Sequence, residues 1–209
     1  MSYPNYLKIK DKACLIYSGH NIEYLIQLRM LKPALKLRFP EIDFTFTCRN
    51  EYSDYLENTI PFEIYNEAKH DYAFRYEIIY DALSKKHPIV EMIESSNISF
   101  EKTETLTPRG HIAYISTIGD FPNVDLTPDQ ITKASNFVRN KGFKSQIINK
   151  KMPAHEVKRL VMGAAYVIGT PNELFYEAVA VKTPTVLISS NLKLQEAYKM
   201  FVKSPNVLP

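Results

Sequence analysis

Residues 164–188 read Ala164-Ala-Tyr-Val-Ile-Gly-Thr-Pro-Asn-Glu-Leu-Phe-Tyr-Glu-Ala-Val-Ala-Val-Lys-Thr-Pro-Thr-Val-Leu-Ile188, and this run decides the fold. Tyr166 to Ile168 are apolar and aromatic or β-branched, as a buried strand requires. Gly169-Thr170-Pro171-Asn172 supplies turn formers and a helix cap, Glu173 to Val181 has helical spacing, and Pro184 to Ile188 is a second buried-type strand. Strand, tight loop, helix and strand make half of a nucleotide-binding α/β unit, whose ligands lie beyond the carboxyl ends of the strands. The loop opens a helix, where free amides and the helix dipole attract an anion.

Working outward, the same alternation continues on both sides. His111 to Thr117 reads as a strand, Thr127 as an N-cap with Gln130 completing a capping box, and Lys141-Gly142 as the stop of that helix. Ser145 to Ile148 is the next strand, Pro153 opens a helix over 154–163, and Asn191 to Phe201 is a final amphipathic helix. In the first half, Ala13 to Tyr17 is a strand and Ser18-Gly19-His20-Asn21 a turn. Ile22 to Arg38 is an amphipathic helix with a candidate kink at Pro33, and Asp43 to Thr47 and Phe62 to Tyr65 are strands. Helices are expected over 50–57, 72–85 and 88–94. Turn formers and polar residues over 95–110 mark a boundary, giving an N-terminal unit of residues 1–100 and a C-terminal, nucleotide-binding unit of residues 105–209. Strands alternating with helices predict parallel sheets joined by right-handed crossovers. The expected fold is α/β: two compact Rossmann-like halves with a cleft between them.

Composition narrows the function. The chain has 209 residues, 45% hydrophobic and 23% charged, an ordinary globular profile. No apolar run is long enough to span a membrane and the start lacks a signal-peptide core, so a cytoplasmic location is the expectation. Cys14 falls in a strand and Cys48 at the end of another, and both read as small buried hydrophobes. Residues 1–104 carry 13 basic and 16 acidic side chains, residues 105–209 carry 13 and 7. The basic second half suits an anionic ligand, or is only a solvated surface. Its basic residues are scattered singly, with no nucleic-acid recognition motif. A phosphate-binding Walker loop, G-x-G-x-x-G, G-x-S-x-G and metal-spaced His or Cys pairs are all missing. Neither metal nor cofactor is expected; the oligomeric state is open.

Ile168-Gly169 and Pro184-Thr185-Val186, with Ala178 and Ala180 between them, resemble the end of the donor-binding domain in GT-B-type glycosyltransferases, most of all the lipopolysaccharide heptosyltransferase family. That family carries x-D-S/T-G-x-x-H within this frame. Here its Asp falls on Pro171, its Ser/Thr on Asn172, its Gly on Glu173 and its His on Tyr176. Glu177-Ala178 followed by Pro184 also resembles the E-A-x-x-x-G-x-P signature of other nucleotide-sugar enzymes, with Lys182 at the Gly position. The strand, Gly-containing loop and helix ending in Arg38-Phe39-Pro40 resemble the opening of the same family, whose Gly-Asp loop becomes Ser18-Gly19-His20-Asn21 here.

The resemblance implies a nucleotide sugar as ligand, an acceptor the sequence does not identify, and glycosyl transfer as the reaction. Expected binding residues are Ser18, Gly19, Ser116, Thr117, Gly169, Thr170, Asn172, Tyr176 and Glu177. Glu177 would hold ribose hydroxyls, as the Glu of that signature does, or be an exposed helix residue. Tyr176 would stack on a base or sugar, or pack beneath the loop. An acceptor hydroxyl needs a base, and His20 and Glu23 are the candidates in the first loop. The loop 116–120 lacks the family's phosphate-holding Lys, for which Lys150 or Lys151 can substitute. A non-catalytic nucleotide or nucleotide-sugar binder, or a sugar-nucleotide epimerase or hydrolase, remains the alternative.

Overall fold

The β-branched and apolar runs form strands and the 3.6-periodic runs form helices, largely at the expected places. The computed structural model describes residues 12–16, 22–38, 40, 43–48, 62–64, 86–95, 99, 101–119 and 125–208. Its elements are β1 (Lys12–Ile16), α1 (Ile22–Arg38), β2 (Asp43–Cys48), β3 (Phe62–Ile64), α2 (Pro88–Ser95), β4 (Ile112–Ser116), α3 (Pro128–Asn140), β5 (Lys144–Ile148), α4 (Ala154–Gly163), β6 (Tyr166–Gly169), α5 (Glu173–Ala180), β7 (Thr185–Ile188), α6 (Leu192–Phe201) and β8 (Asn206–Leu208). The helices expected over 50–57 and 72–85 lie outside the described residues. Helix α1 runs continuously through Pro33, which faces solvent.

The strands form two parallel sheets, β1-β2-β3 and β5-β4-β6-β7-β8. In the larger one the chain steps from β4 outward to β5, then crosses back to β6 on the other side of β4. Connections therefore leave β4 in opposite directions, which opens a crevice at the carboxyl ends of the strands. Ser116, Ile148 and Gly169 stand abreast there, Ser116 being in register with both others.

Alternation along the strands separates two cores. Tyr114, Val167 and Leu187 face one layer with α4, α5 and α6, whereas Ala113, Ile115, Ile168, Val186 and Ile188 face α3 through Ala134 and Val138. Helix α1 joins the first layer: Leu25, Ile26, Leu28, Leu31, Ala34 and Leu35 belong to the same cluster, and α1 packs on α5. Every residue of α5 from Glu173 to Val179 is buried for that reason, since the helix is enclosed by the sheet, α4 and α1.

Both ends of α3 follow its sequence. Thr127 Oγ1 accepts the Gln130 amide at 3.3 Å while Gln130 Oε1 accepts the Thr127 amide at 3.1 Å, the reciprocal capping box. At the other end Gly142 takes φ 81, and the amides of Gly142 and Phe143 return to the carbonyls of Arg139 and Val138. Helix α5 ends by the same motif without a glycine: Lys182 takes φ 65, and the amides of Lys182 and Thr183 return to Val179 and Ala178. The segment 101–110 is fastened to the C-terminal half. Thr103 donates to the Phe201 carbonyl at 2.6 Å and Leu106 to that of Lys182 at 2.8 Å.

Candidate functional site

The ends of β4 and β5 and the start of α5 line a shallow depression that opens to solvent. Ser116 and Ile118 line it after β4, Ile148, Lys150, Lys151 and Met152 after β5, and Asn172, Glu173 and Leu174 at the head of α5. This is the position where an open parallel sheet places its ligand.

Asn172 organises the floor. Its Oδ1 accepts the Phe175 amide at 2.9 Å, capping α5. Its Nδ2 donates to Ser116 Oγ and to the Ile118 carbonyl, both at 2.6 Å, so one side chain ties the helix start to the β4 loop. Gly169 permits this approach, since a Cβ there would lie 2.6 Å from the Ser116 carbonyl oxygen. Thr117 stitches β4 to β5, its amide and Oγ1 donating to the Ile148 carbonyl at 3.0 and 3.3 Å. Thr170 is 3% exposed, and its hydroxyl has no hydrogen bond among the described residues.

The structure thus brings Ser116, Thr117, Gly169 and Asn172 together. It turns Tyr176 and Glu177 the other way. Tyr176 is fully buried, edge-on to Phe175 and Phe201 with centroids 5.5 and 6.3 Å away, so of its two readings the packing one describes its position. Glu177 is 2% exposed and its carboxylate meets the Arg29 guanidinium of α1 at 2.6 Å. The carboxylate expected to face a ribose or solvent therefore bridges two helices. Ser18, Gly19 and His20 lie outside the described residues; Glu23 lies in the first turn of α1, with its side chain outside them.

Sequence reading passed over Glu173. It is the first residue of α5, is 9% exposed, and sits at the depression with Lys150 and Lys151. An acidic residue in a first helical turn is ordinarily a favourable surface charge, and nothing local signals that this one is enclosed. The amides of Glu173 and Leu174 have no partner within the helix, being in its first turn. The depression is therefore lined by the first turn of α5, by Lys150 and Lys151, and by one carboxylate. Among the described residues no His, Cys, Asp and Glu gather as metal ligands would, and no helix is long and apolar enough to cross a membrane.

No family profile matches the chain, and no curated protein sequence matches it. Solved structures do. The iron-containing dodecameric glycosyltransferase TibC from enterotoxigenic E. coli superposes with a TM-score of 0.61 at 14% identity, over 86% of this chain and 59% of that one. The chain thus spans under two thirds of TibC. E. coli heptosyltransferase WaaC with ADP gives 0.60 at 9% identity, over 93% and 92%. A family 9 glycosyl transferase from Veillonella parvula gives 0.59 at 10%, over 94% and 85%. The α/β fold with its all-parallel five-stranded sheet is thus the GT-B-like fold of these glycosyltransferases.

Proposed function

We propose that the chain binds a nucleotide sugar in the depression at the ends of β4 and β5 and transfers the sugar to an acceptor hydroxyl. The observation that carries this reading is that Lys150, Lys151 and the first residues of α5 line one depression at the strand ends. The fold adds support, since E. coli WaaC is crystallised with ADP and TibC with ADP-D-β-D-heptose. In such a transfer the acceptor oxygen bonds to the anomeric carbon and the bond from that carbon to the phosphate oxygen breaks. The nucleotide leaves with the electron pair and the acceptor proton passes to a base. Lys150 and Lys151 would take up charge on the departing phosphate. His20, which precedes α1 in the sequence, and Glu23, in its first turn, are the proposed bases.

A second reading has its own observation. Asn172, Tyr176 and Glu177 are all engaged inside the protein, which leaves positions equivalent to the family's Ser/Thr and His holding structure. A chain that kept the frame and lost those groups would be a non-catalytic nucleotide-sugar binder. Incubation with UDP-, ADP-, GDP- and CMP-sugars separates the two. Transfer requires donor consumption that falls by about 10²-fold or more in His20→Ala or Glu23→Gln with binding retained. Binding without consumption establishes the second reading, and absence of binding refutes both.

A further inference from the structure

Glu173 and Glu177 lie one turn apart on α5 and differ in what surrounds them. Glu177 is held by Arg29. Glu173 is 9% exposed, lines the depression, and its carboxylate has neither a hydrogen bond nor an ion pair among the described residues. A carboxylate on the wall of the depression sets a negative charge beside any ligand that enters it. Two features bear on which ligand that is. Lys150 and Lys151 line the β5 side of the same depression and suit a phosphate. The head of α5, where a second phosphate would find its amides, already carries the Glu173 charge. A diphosphate spanning the depression would place like charges side by side, whereas a sugar hydroxyl placed there would donate to the carboxylate.

We propose that Glu173 makes this site selective for a ligand with a single phosphate, a nucleoside monophosphate or a sugar linked to one. The phosphate faces Lys150 and Lys151, and a ligand hydroxyl donates to Glu173. This rests on the nucleotide-sugar reading above and names its donor class as one whose leaving group is a monophosphate.

The test is calorimetric titration of the full chain and of Glu173→Gln with AMP, ADP, UMP, UDP, GMP, GDP, CMP and CDP. Glutamine keeps the shape, and the Glu173 carboxylate has no bond among the described residues to lose. For the preferred base, the unsubstituted protein is expected to bind the monophosphate at least as tightly as the diphosphate. Glu173→Gln should raise diphosphate affinity by about tenfold or more without a matching gain for the monophosphate. A roughly tenfold preference of the unsubstituted protein for the diphosphate overturns the inference and leaves the nucleotide reading standing; this arm needs no variant. An unchanged ratio in Glu173→Gln also overturns it. Binding of none of the eight by either protein at millimolar concentration overturns both.

Discussion

Glu177 shows how far one residue's role depends on a partner distant in sequence. The pair that reads as a ribose-binding signature is legible locally, but Arg29 is 148 residues away and nothing in either segment announces the contact. With side chains 9% and 3% exposed, the two charges are enclosed together, and removing one leaves the other without its counter-charge. Glu177→Gln is therefore expected to lower unfolding free energy by about 3 kcal/mol in urea titration. An unchanged midpoint, with nucleotide affinity lowered instead, would return Glu177 to the ribose. Lys182 is a related lesson. The signature's glycine position is the left-handed residue closing α5, so the resemblance located a backbone requirement that lysine meets at some conformational cost. Asn172 was legible as a cap because capping is local. Its clamp on Ser116, 56 residues earlier, was not.

Among the elements, α2 carries a pH dependence. His87 precedes Pro88, is 2% exposed, and its Nδ1 accepts the Ile89 amide at 3.3 Å. Burial first, and then the positive charge of Lys193, bring its pKa down from 6.5 to about 4. The folded state thus disfavours the imidazolium that the unfolded chain readily forms. Stability from this group is fully present above about pH 6.5 and lost as pH falls through about 4, by about 3 kcal/mol in all. Urea midpoints measured between pH 7 and 4 should decline, and His87→Gln should flatten the decline. An equal slope in the variant would assign it to other groups. Element types were legible wherever periodicity was strong: α1 and α4 occupy the expected residues. Strand β8 was missed. Its three residues, Asn206–Leu208, are too few for alternation to register, and its placement comes from parallel pairing with β7.

At the scale of the molecule, the alternation of strands and helices predicted parallel sheets, while hydrophobic pattern alone did not say which helix covers which sheet. Helix α1 precedes β2 in the chain yet shares the core of α5, so the N-terminal strands and the depression's helix are mechanically joined through the Arg29–Glu177 contact. The division into units of residues 1–100 and 105–209 remains a proposal, with 101–110 tied along the second. Lys150 and Lys151 were legible only as possible substitutes for a missing lysine; the register of β4 with β5 brings them to the depression. The most direct measurement of the central claim is thermal unfolding of the chain and of a Lys150→Ala, Lys151→Ala double variant with millimolar nucleoside mono- and diphosphates and their sugars. At least one ligand should raise the melting temperature of the unsubstituted protein, by about 2 to 3 kcal/mol of linkage at a hundredfold excess over its Kd, and the shift should largely vanish in the double variant. No shift with any ligand, or one that survives loss of both lysines, would contradict nucleotide-sugar binding at this site.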